Sequence, residues 1–437
     1  MKSIESTHLY LAGVAAAILL VIYVGNVLGR PSSKVPGPWY SKWSDVVLKY
    51  KWLSGERPYY VHALHQKYGP VVRLGPNEID ISDLQAVQNI YSIKSNYIKT
   101  QWYNQLTDLP VRNVFDTTNV EYHRRHRRLL GGNMSETALK NFLPIITPRI
   151  DLAIARMREE MHNRGVADVC KWWLFMATDI IGELTFGESF QTLEQGRKSA
   201  YTEQLEKVAV TSALRSTFPY LGNLVKAFPI PIFKQAFEAA RQLEKYSRDS
   251  LSRHRRLVDS DPTRAQQSLF TKLYKAGDDD ELTSEELMAE AQGYIVAGSD
   301  TTANTLTYLV WSVCRRPNIK ATLLEELKQL PKEYVESDLR DLPYLNQVIQ
   351  ESLRMYSSVP GGLPRMVPAG GAEFAGYWLP AGTTVCTQAY TMHRDPVIFL
   401  NPEEFNPSRW SEPTKVMKEA SMPFGRGSRS KISRNPS

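Results

Sequence analysis

The chain has 437 residues, with 53 Lys and Arg against 46 Asp and Glu, a formal net charge of +7. Hydrophobic residues at 42% and charged residues at 23% exclude disorder over most of the length, and 25 Gly with 26 Pro exclude collagen-like and low-complexity chains. Three cysteines exclude a disulfide scaffold and fit a reducing compartment.

The first element is an uncharged run, Leu9 to Val24, that only Gly25 and Asn26 interrupt before Leu28. Twenty helical residues rise about 30 Å, the thickness of a bilayer core. A cleavable signal peptide needs a shorter apolar stretch followed by a small-x-small site, and Val24-Gly25-Asn26 makes a poor one. The run therefore predicts a lumenal tail over 1–8 and a retained transmembrane signal anchor over 9–28, with membrane lipid as a partner. Arg30, Lys34 and Lys42 follow the run, and basic residues on that side place the bulk of the chain in the cytosol. The segment 29–38, with Pro31, Pro36 and Pro38, predicts a stiff hinge close to polyproline II.

Strand-like segments follow at Val71 to Leu74 and Glu78 to Ser82. Helical patterns dominate from about residue 135 to 360. The longest, Leu282 to Arg315, has Thr283 or Ser284 to cap it, Glu285 and Glu286 in the first turn, and Pro317 as its stop. Two further strand-like segments, Glu373 to Trp378 and Thr383 to Thr387, flank a Pro380-Ala-Gly382 turn. The reading is a mainly α chain with small β-sheets built from distant segments. Asp278 to Glu281 reads as a solvated acidic loop, and the aromatic stretch Phe218 to Phe237 as core.

Five clusters bear on chemistry. Ala297-Gly298-Ser299-Asp300-Thr301-Thr302 lies inside the long apolar helix, where Asp and Thr compete for backbone hydrogen bonds. A locally opened helix carrying an acid and an alcohol suits proton delivery to a ligand alongside it. Glu351 and Arg354 share a helix face at i,i+3, which alone is a common surface pairing. Phe405-Asn-Pro-Ser-Arg409-Trp410, after His393-Arg394-Asp395-Pro396, alone reads as a loop with turns. His123-Arg-Arg-His-Arg127-Arg128 suits nucleic acid, acidic lipid or carboxylates; no further basic stripe supports nucleic acid, so none is expected as a partner. Pro423-Phe424-Gly-Arg-Gly427-Ser-Arg429 implies close backbone approach to something flat or large, or else an Arg-Gly-rich tail.

In this order the clusters resemble the cytochrome P-450 family of heme-thiolate monooxygenases, over about residues 8 to 430. Ala297 to Thr302 match its oxygen-activating helix, Glu351 and Arg354 its Glu-x-x-Arg helix, and Arg409 the third member of its charged triad. His123 and Arg127 match its propionate-binding helix, and Arg365 a further propionate arginine. The anchor and Pro-Gly-Pro hinge resemble microsomal members. The segments Lys67 to Glu78 and Thr178 to Gly187 resemble fungal members of secondary-metabolite and mycotoxin pathways.

The resemblance implies a catalytic domain over 39–430 in the endoplasmic reticulum membrane. Its cofactor would be heme. Its partners would be dioxygen, an apolar small-molecule substrate and an NADPH-dependent flavoprotein reductase. Asp300 and Thr301 would handle protons. His123, Arg127, Arg365 and Arg429 would meet the propionates, and Arg124, Arg125 and Arg128 would form a basic patch for the reductase.

One feature departs from the pattern. In Phe-x-x-Gly-x-Arg-x-Cys-x-Gly, Phe424, Gly427 and Arg429 fit, but the axial Cys position holds Lys431 and the last Gly position Ser433. A thiolate pushes electron density onto iron, whereas a lysine amine is protonated at neutral pH. Cys170, Cys314 and Cys386 are expected as buried structural thiols, the first two on helices and the third on a strand. The divergent tail 431–437 is expected to mark a truncation, from a retained intron or misplaced exon boundary. The alternative function is a poorly folding, non-catalytic membrane pseudoenzyme.

Overall fold

The computed structural model describes residues 2–107, 109, 111–132, 140–219, 231–260, 268–270 and 282–430, with side chains described from residue 14 onward except 231–233 and 236. The acidic loop 278–281, the tail 431–437 with Lys431, and most of the aromatic stretch 218–237 lie outside the described residues. The chain is mainly helical with small sheets, as expected, and divides into two compact units.

The first unit joins the N-terminal residues up to Thr100 with Gly361–Met392. Helix α1, Lys2–Gly29, is followed by α2 (Val46–Leu53), α3 (Arg57–Tyr68) and α4 (Leu84–Ile90). Its strands are β1 (Val71–Gly75), β2 (Glu78–Ile81), β3 (Ile98–Lys99), β4 (Arg365–Met366), β5 (Ala372–Phe374), β6 (Tyr377–Leu379) and β7 (Thr384–Cys386). One five-stranded sheet runs β1-β2-β7-β4-β3, with β2 and β7 parallel, so segments three hundred residues apart pair directly. Leu48, Val61, Leu64, Val72, Leu74 and Cys386 close its core. The expected continuous strand Glu373 to Trp378 is instead the hairpin β5–β6. Its turn is Ala375-Gly376, both at positive φ, the backbone that a two-residue hairpin requires.

The apolar run at Leu9 to Val24 begins among side chains outside the described set, and among the described residues no helix is long and apolar enough to cross a membrane. The part of α1 that is described exposes Leu19 (67%), Leu20 (61%) and Val21 (70%). Successive residues turn 100° apart, so apolar surface faces out all round this helix.

The hinge matches its expectation in part, since Arg30, Val35 and Pro38 keep a polyproline II-like backbone. Pro31–Lys34 is a 3-10 turn rather than polyproline II, and the chain from Ser32 to Ser41 wraps Arg73 of β1. Arg73 is 1% exposed and donates to the carbonyls of Ser33 (3.2 Å), Val35 and Pro38 (3.0 Å) and to Ser41 Oγ (3.0 Å). Gly37 has no room for a side chain, because a Cβ there would lie 2.6 Å from the Arg73 carbonyl oxygen.

The second unit, Gln101–Pro360 with His393 onward, is the helical body. Its helices are α5 (Val120–Gly131), α6 (Leu143–Arg164), α7 (Val169–Phe186), α8 (Ala200–Thr217), α9 (Pro231–Ser260), α10 (Ser284–Cys314), α11 (Pro317–Leu327) and α12 (Pro343–Met355). Helix α10 starts on the expected cap: Thr283 Oγ1 accepts from the Glu286 amide while the Glu286 carboxylate accepts from the Thr283 amide. It ends at Cys314, and Pro317, expected as its stop, opens α11, where a missing N–H costs nothing. Phe186, Phe190, Tyr201, Phe270, Leu287, Met288, Ala291 and Ile295 form the main core around α7 and α10.

Candidate functional site

The site is built where α5, α10, α12 and the loop 423–430 meet in the second unit. Asn119 caps α5 by accepting from the Tyr122 amide, and the helix then presents His123 and Arg127 one turn apart. His123 is buried, and Arg127 is half-buried and donates to the Ser430 carbonyl at 2.6 Å. Arg429 reaches back and donates to the Thr117 carbonyl at 3.1 Å. The loop is thus clasped to α5 through Arg127 and to the segment leading into it through Arg429. Gly425 and Gly427 take φ of 72° and 66°, which fits glycine at both turns of the loop, and Phe424 stays partly exposed.

The loop is held from behind by α12. Glu351 and Arg354 are both fully buried, joined through Nε to Oε2 and Nη2 to Oε1 at 2.8 Å each. Arg409 Nε adds a third contact to Glu351 at 3.0 Å. The expected triad is therefore present, with Glu351 and Arg354 fully buried and Arg409 partly so. His393 extends it: its Nδ1 meets the Arg354 carbonyl at 2.8 Å, and its Nε2 accepts from the Met422 amide at 2.9 Å. An amide donor fixes Nε2 as acceptor and Nδ1–H as donor, so the ring is neutral. Burial pushes its pKa down to about 3. In sequence, His393 stood only as part of a loop; as the link between the Glu-x-x-Arg helix and the start of the cofactor loop, it was missed.

That link predicts a pH dependence. The unfolded imidazole takes a proton below about 6.5, and the folded one only near 3, so in this window the unfolded state binds more protons and stability is lost as pH is lowered. At 1.36 kcal/mol per unit, His393 accounts for about 2 kcal/mol lost between pH 6.5 and 5. His393→Gln, which keeps one donor and one acceptor, is expected to remove that part of the slope in urea unfolding. An unchanged slope would show that His393 does not carry it.

The oxygen-helix motif lies on α10, which is unbroken through it, so the expected local opening is not found. The hydroxyls are satisfied within the helix: Ser299 donates to the Ile295 carbonyl (2.7 Å), Thr301 to Ala297 (2.6 Å) and Thr305 to Thr301 (2.8 Å). Gly298 serves close packing instead, since a Cβ there would sit 3.1 Å from Ile181 of α7. Asp300 is exposed; packing around its carboxyl and the nearby Glu206 raise its pKa, and Lys198 opposes. Ser358, after α12, donates to the Thr301 carbonyl at 2.9 Å, a staple that the sequence did not signal.

Helices α5 and α10 are joined by a buried cluster. His126, fully buried and stacked on Tyr122, meets Glu290 at 2.8 Å and Glu286 at 3.2 Å. Burial raises the Glu290 pKa, while the Thr283 amide, His126 and Arg125 outweigh burial at Glu286 and lower it. The basic patch expected on α5 is thereby thinned. His126 is inside, Arg125 pairs with Glu286 (3.2 Å), and Arg124 pairs with Glu121 (2.7 Å). One turn beyond Glu290, the Tyr294 hydroxyl is buried and has no hydrogen-bond partner among the described residues.

Arg365 stands on β4 in the first unit, buried, with Nη1 on the Pro364 carbonyl at 3.0 Å and its guanidinium over Tyr91. The thiols differ from expectation: Cys386 is buried in β7, but Cys170 and Cys314 are exposed. They sit at the first and last turns of their helices, where only the inward face is covered. Cationic and N–H donors converging between α5 and the loop fit the two carboxylates of a heme. The axial side does not fit in the same way, because the loop carries no cysteine and Lys431 stands at the register where the thiolate is expected.

A family model described as Cytochrome P-450 matches residues 36–430. The chain is 43% identical over 430 residues to cytochrome P-450 monooxygenase orf2 of Aspergillus niger, covering 98% of this chain and 88% of that protein. It is 41% identical to cytochrome P-450 monooxygenase tazI of Aspergillus terreus (99% and 89% covered). It is 32% identical to cytochrome P-450 monooxygenase aflV of Aspergillus parasiticus (91% and 80% covered).

Proposed function

The chain belongs to the cytochrome P-450 family, whose cofactor is heme, and from that premise we propose that it serves the oxidation of an apolar fungal secondary metabolite of the mycotoxin type. The observation that carries this reading is the clasp of the loop on α5 through Arg127 and on the segment leading into α5 through Arg429. It closes a cationic cradle beside the helix that bears Asp300 and Thr301.

In this reading His123, Arg127 and Arg429 hold the propionates, and Arg365 is kept in that role on the family pattern alone. Phe424 and Gly427 shape the loop, and Glu351, Arg354 and Arg409 hold it in place. A bound heme would supply the activation of dioxygen, with electrons from an NADPH-dependent flavoprotein reductase. Asp300, exposed and with a raised pKa, exchanges protons with water, and the Thr301 hydroxyl orients them toward the ligand side of α10. Lys431 supplies no thiolate, so no step is assigned to it.

Helix α1 serves as a single-pass anchor in the endoplasmic reticulum membrane, with the body in the cytosol. What supports this is the all-round apolar surface of its described part and the uncharged run before it.

The test compares the chain with its Lys431→Cys variant, each expressed in microsomes with a flavoprotein reductase and NADPH. Both are expected to retain heme, and Lys431→Cys to move the reduced carbon monoxide Soret band to the thiolate position and to raise dioxygen-dependent oxidation of apolar aromatic substrates. Failure of both proteins to retain heme would overturn the proposal. So would a Lys431→Cys protein that takes up heme in thiolate form and oxidises none of them.

A further inference from the structure

Two donor side chains with capacity left for an acceptor, Arg127 and Tyr294, stand on the neighbouring helices α5 and α10. Arg127 is half-buried, spends one hydrogen bond on the Ser430 carbonyl, and has no carboxylate paired with it among the described residues. Burial lowers its pKa, and the Tyr294 phenol is close enough to oppose that shift. The Tyr294 hydroxyl is itself buried and without a partner among the described residues, on a ring packed at a tilt against Phe270, 5.9 Å between centroids. A buried hydroxyl left without a hydrogen bond is unfavourable, and native proteins rarely keep one without a ligand, an ion or a water to meet it.

Placement adds to the argument. Tyr294 follows Glu290 by four residues on α10, so both lie on the face turned toward α5. Glu290 is already engaged by His126 at 2.8 Å and by the Val114 amide at 2.7 Å, which leaves it committed elsewhere. Three residues further along the helix comes Ala297, where the Asp300 and Thr301 segment begins. Tyr294 thus stands between the α5 cluster and the oxygen-helix motif. Arg127 and Tyr294 together offer a guanidinium and a phenolic O–H, a pair that a single carboxylate satisfies, with charge-assisted hydrogen bonds from both.

We propose that Tyr294 is a cofactor-binding residue whose hydroxyl donates to the same carboxylate of a porphyrin propionate that Arg127 binds. This rests on the heme reading above and extends it by one residue. Nothing in the five sequence clusters pointed to Tyr294. The signal was available only as a phenol in an otherwise apolar helix stretch.

The test uses the full chain in detergent and iron-free protoporphyrin IX, so that axial ligation plays no part. Binding is followed by quenching of tryptophan fluorescence, with protoporphyrin IX dimethyl ester as the uncharged comparison. The wild-type chain is expected to prefer the diacid. Tyr294→Phe is expected to weaken diacid binding about tenfold, the size of one hydrogen bond to a charged group, and to leave the ester unchanged. The ligand-free melting temperature of Tyr294→Phe should be unchanged or higher, because an orphaned hydroxyl is removed, which a purely structural role would not give. If the wild type prefers the diacid, Arg127→Ala abolishes that preference and Tyr294→Phe does not alter it, this inference fails and the heme reading stands. If the wild type shows no preference for the diacid, both fail.

Discussion

Glu351→Ala is expected to destabilise the helical body by about 3–5 kcal/mol at neutral pH. Glu351 is fully buried and accepts from five donors: Arg354 Nε and Nη2, Arg409 Nε, Trp410 Nε1 (2.9 Å) and the Asn406 amide (2.8 Å). Burial alone would raise its pKa, but the hydrogen bonds and charge of Arg354, with help from Asn406 and Arg409, hold it below the usual carboxylate value. Removing it leaves the fully buried Arg354 uncompensated, which costs about 3–5 kcal/mol. Against a typical total of about 5–15 kcal/mol, that is a large share. The measurement is the urea midpoint by circular dichroism. The double variant Glu351→Leu with Arg354→Met removes both charges at similar volume and should recover much of the loss, since replacing a whole buried pair is often neutral. A loss under about 1 kcal/mol for Glu351→Ala would refute the account. The sign in pH follows from the depressed pKa. The contribution is complete above about 4.5, the unfolded value, and disappears as pH falls through the lower folded value.

This network also shows what was legible beforehand. Glu351 and Arg354 could be paired because a helix brings i and i+3 together, and the Thr283–Glu286 capping box could be read for the same local reason. The mainly helical class, the long helix and the sheet from distant segments followed from periodicity and turn residues. What failed was decided by long-range contact. His393 reads as a loop residue until Arg354 and Met422 are brought to its two nitrogens. His126 reads as part of a basic run until Glu286 and Glu290, 160 residues away, close over it. The α10 motif was expected to open the helix, yet Ser299 and Thr301 each found their own i−4 carbonyl, and Gly298 answers to Ile181 on a neighbouring helix. No local pattern carries such information.

The two arginines of the clasp and the two of the triad do different work. Arg354 and Arg409 have an internal carboxylate, so their charge is spent on holding the loop from behind. Arg127 has no carboxylate among the described residues, and its charge remains for a ligand. Hence the same residue type builds the frame on one side of the loop and the binding surface on the other. Loss of the first kind should appear in stability, and loss of the second in ligand affinity with stability nearly unchanged.

Arg73→Met is expected to release the hinge. Arg73 has no carboxylate partner among the described residues; it is 1% exposed, and burial lowers its pKa. A guanidinium nonetheless stays protonated, and here its five N–H donors are met by main-chain carbonyls between Ser32 and Pro38 and by Ser41 Oγ. Its own amide adds a hydrogen bond to the Pro36 carbonyl at 2.8 Å. Methionine fills a similar space and satisfies none of these oxygens. Each would cost about 1–3 kcal/mol if it stayed buried, so the segment is expected to swing out and hydrate instead. A local loss of about 3 kcal/mol raises the open fraction more than a hundredfold, and cleavage of the open form follows that fraction when reclosing is fast. Trypsin should therefore cut at Lys34 and Lys42 about a hundred times faster in Arg73→Met than in the wild type, a ratio set by that open fraction. The urea midpoint of the helical body should be unchanged, because Arg73 belongs to the other unit. Arg73→Lys, with three donors on one nitrogen, should fall between the two. Equal cleavage rates in all three would mean that the prolines alone hold the hinge, as the sequence first suggested. A hundredfold ratio would mean that a strand residue fixes the segment that joins α1 to the rest of its own unit.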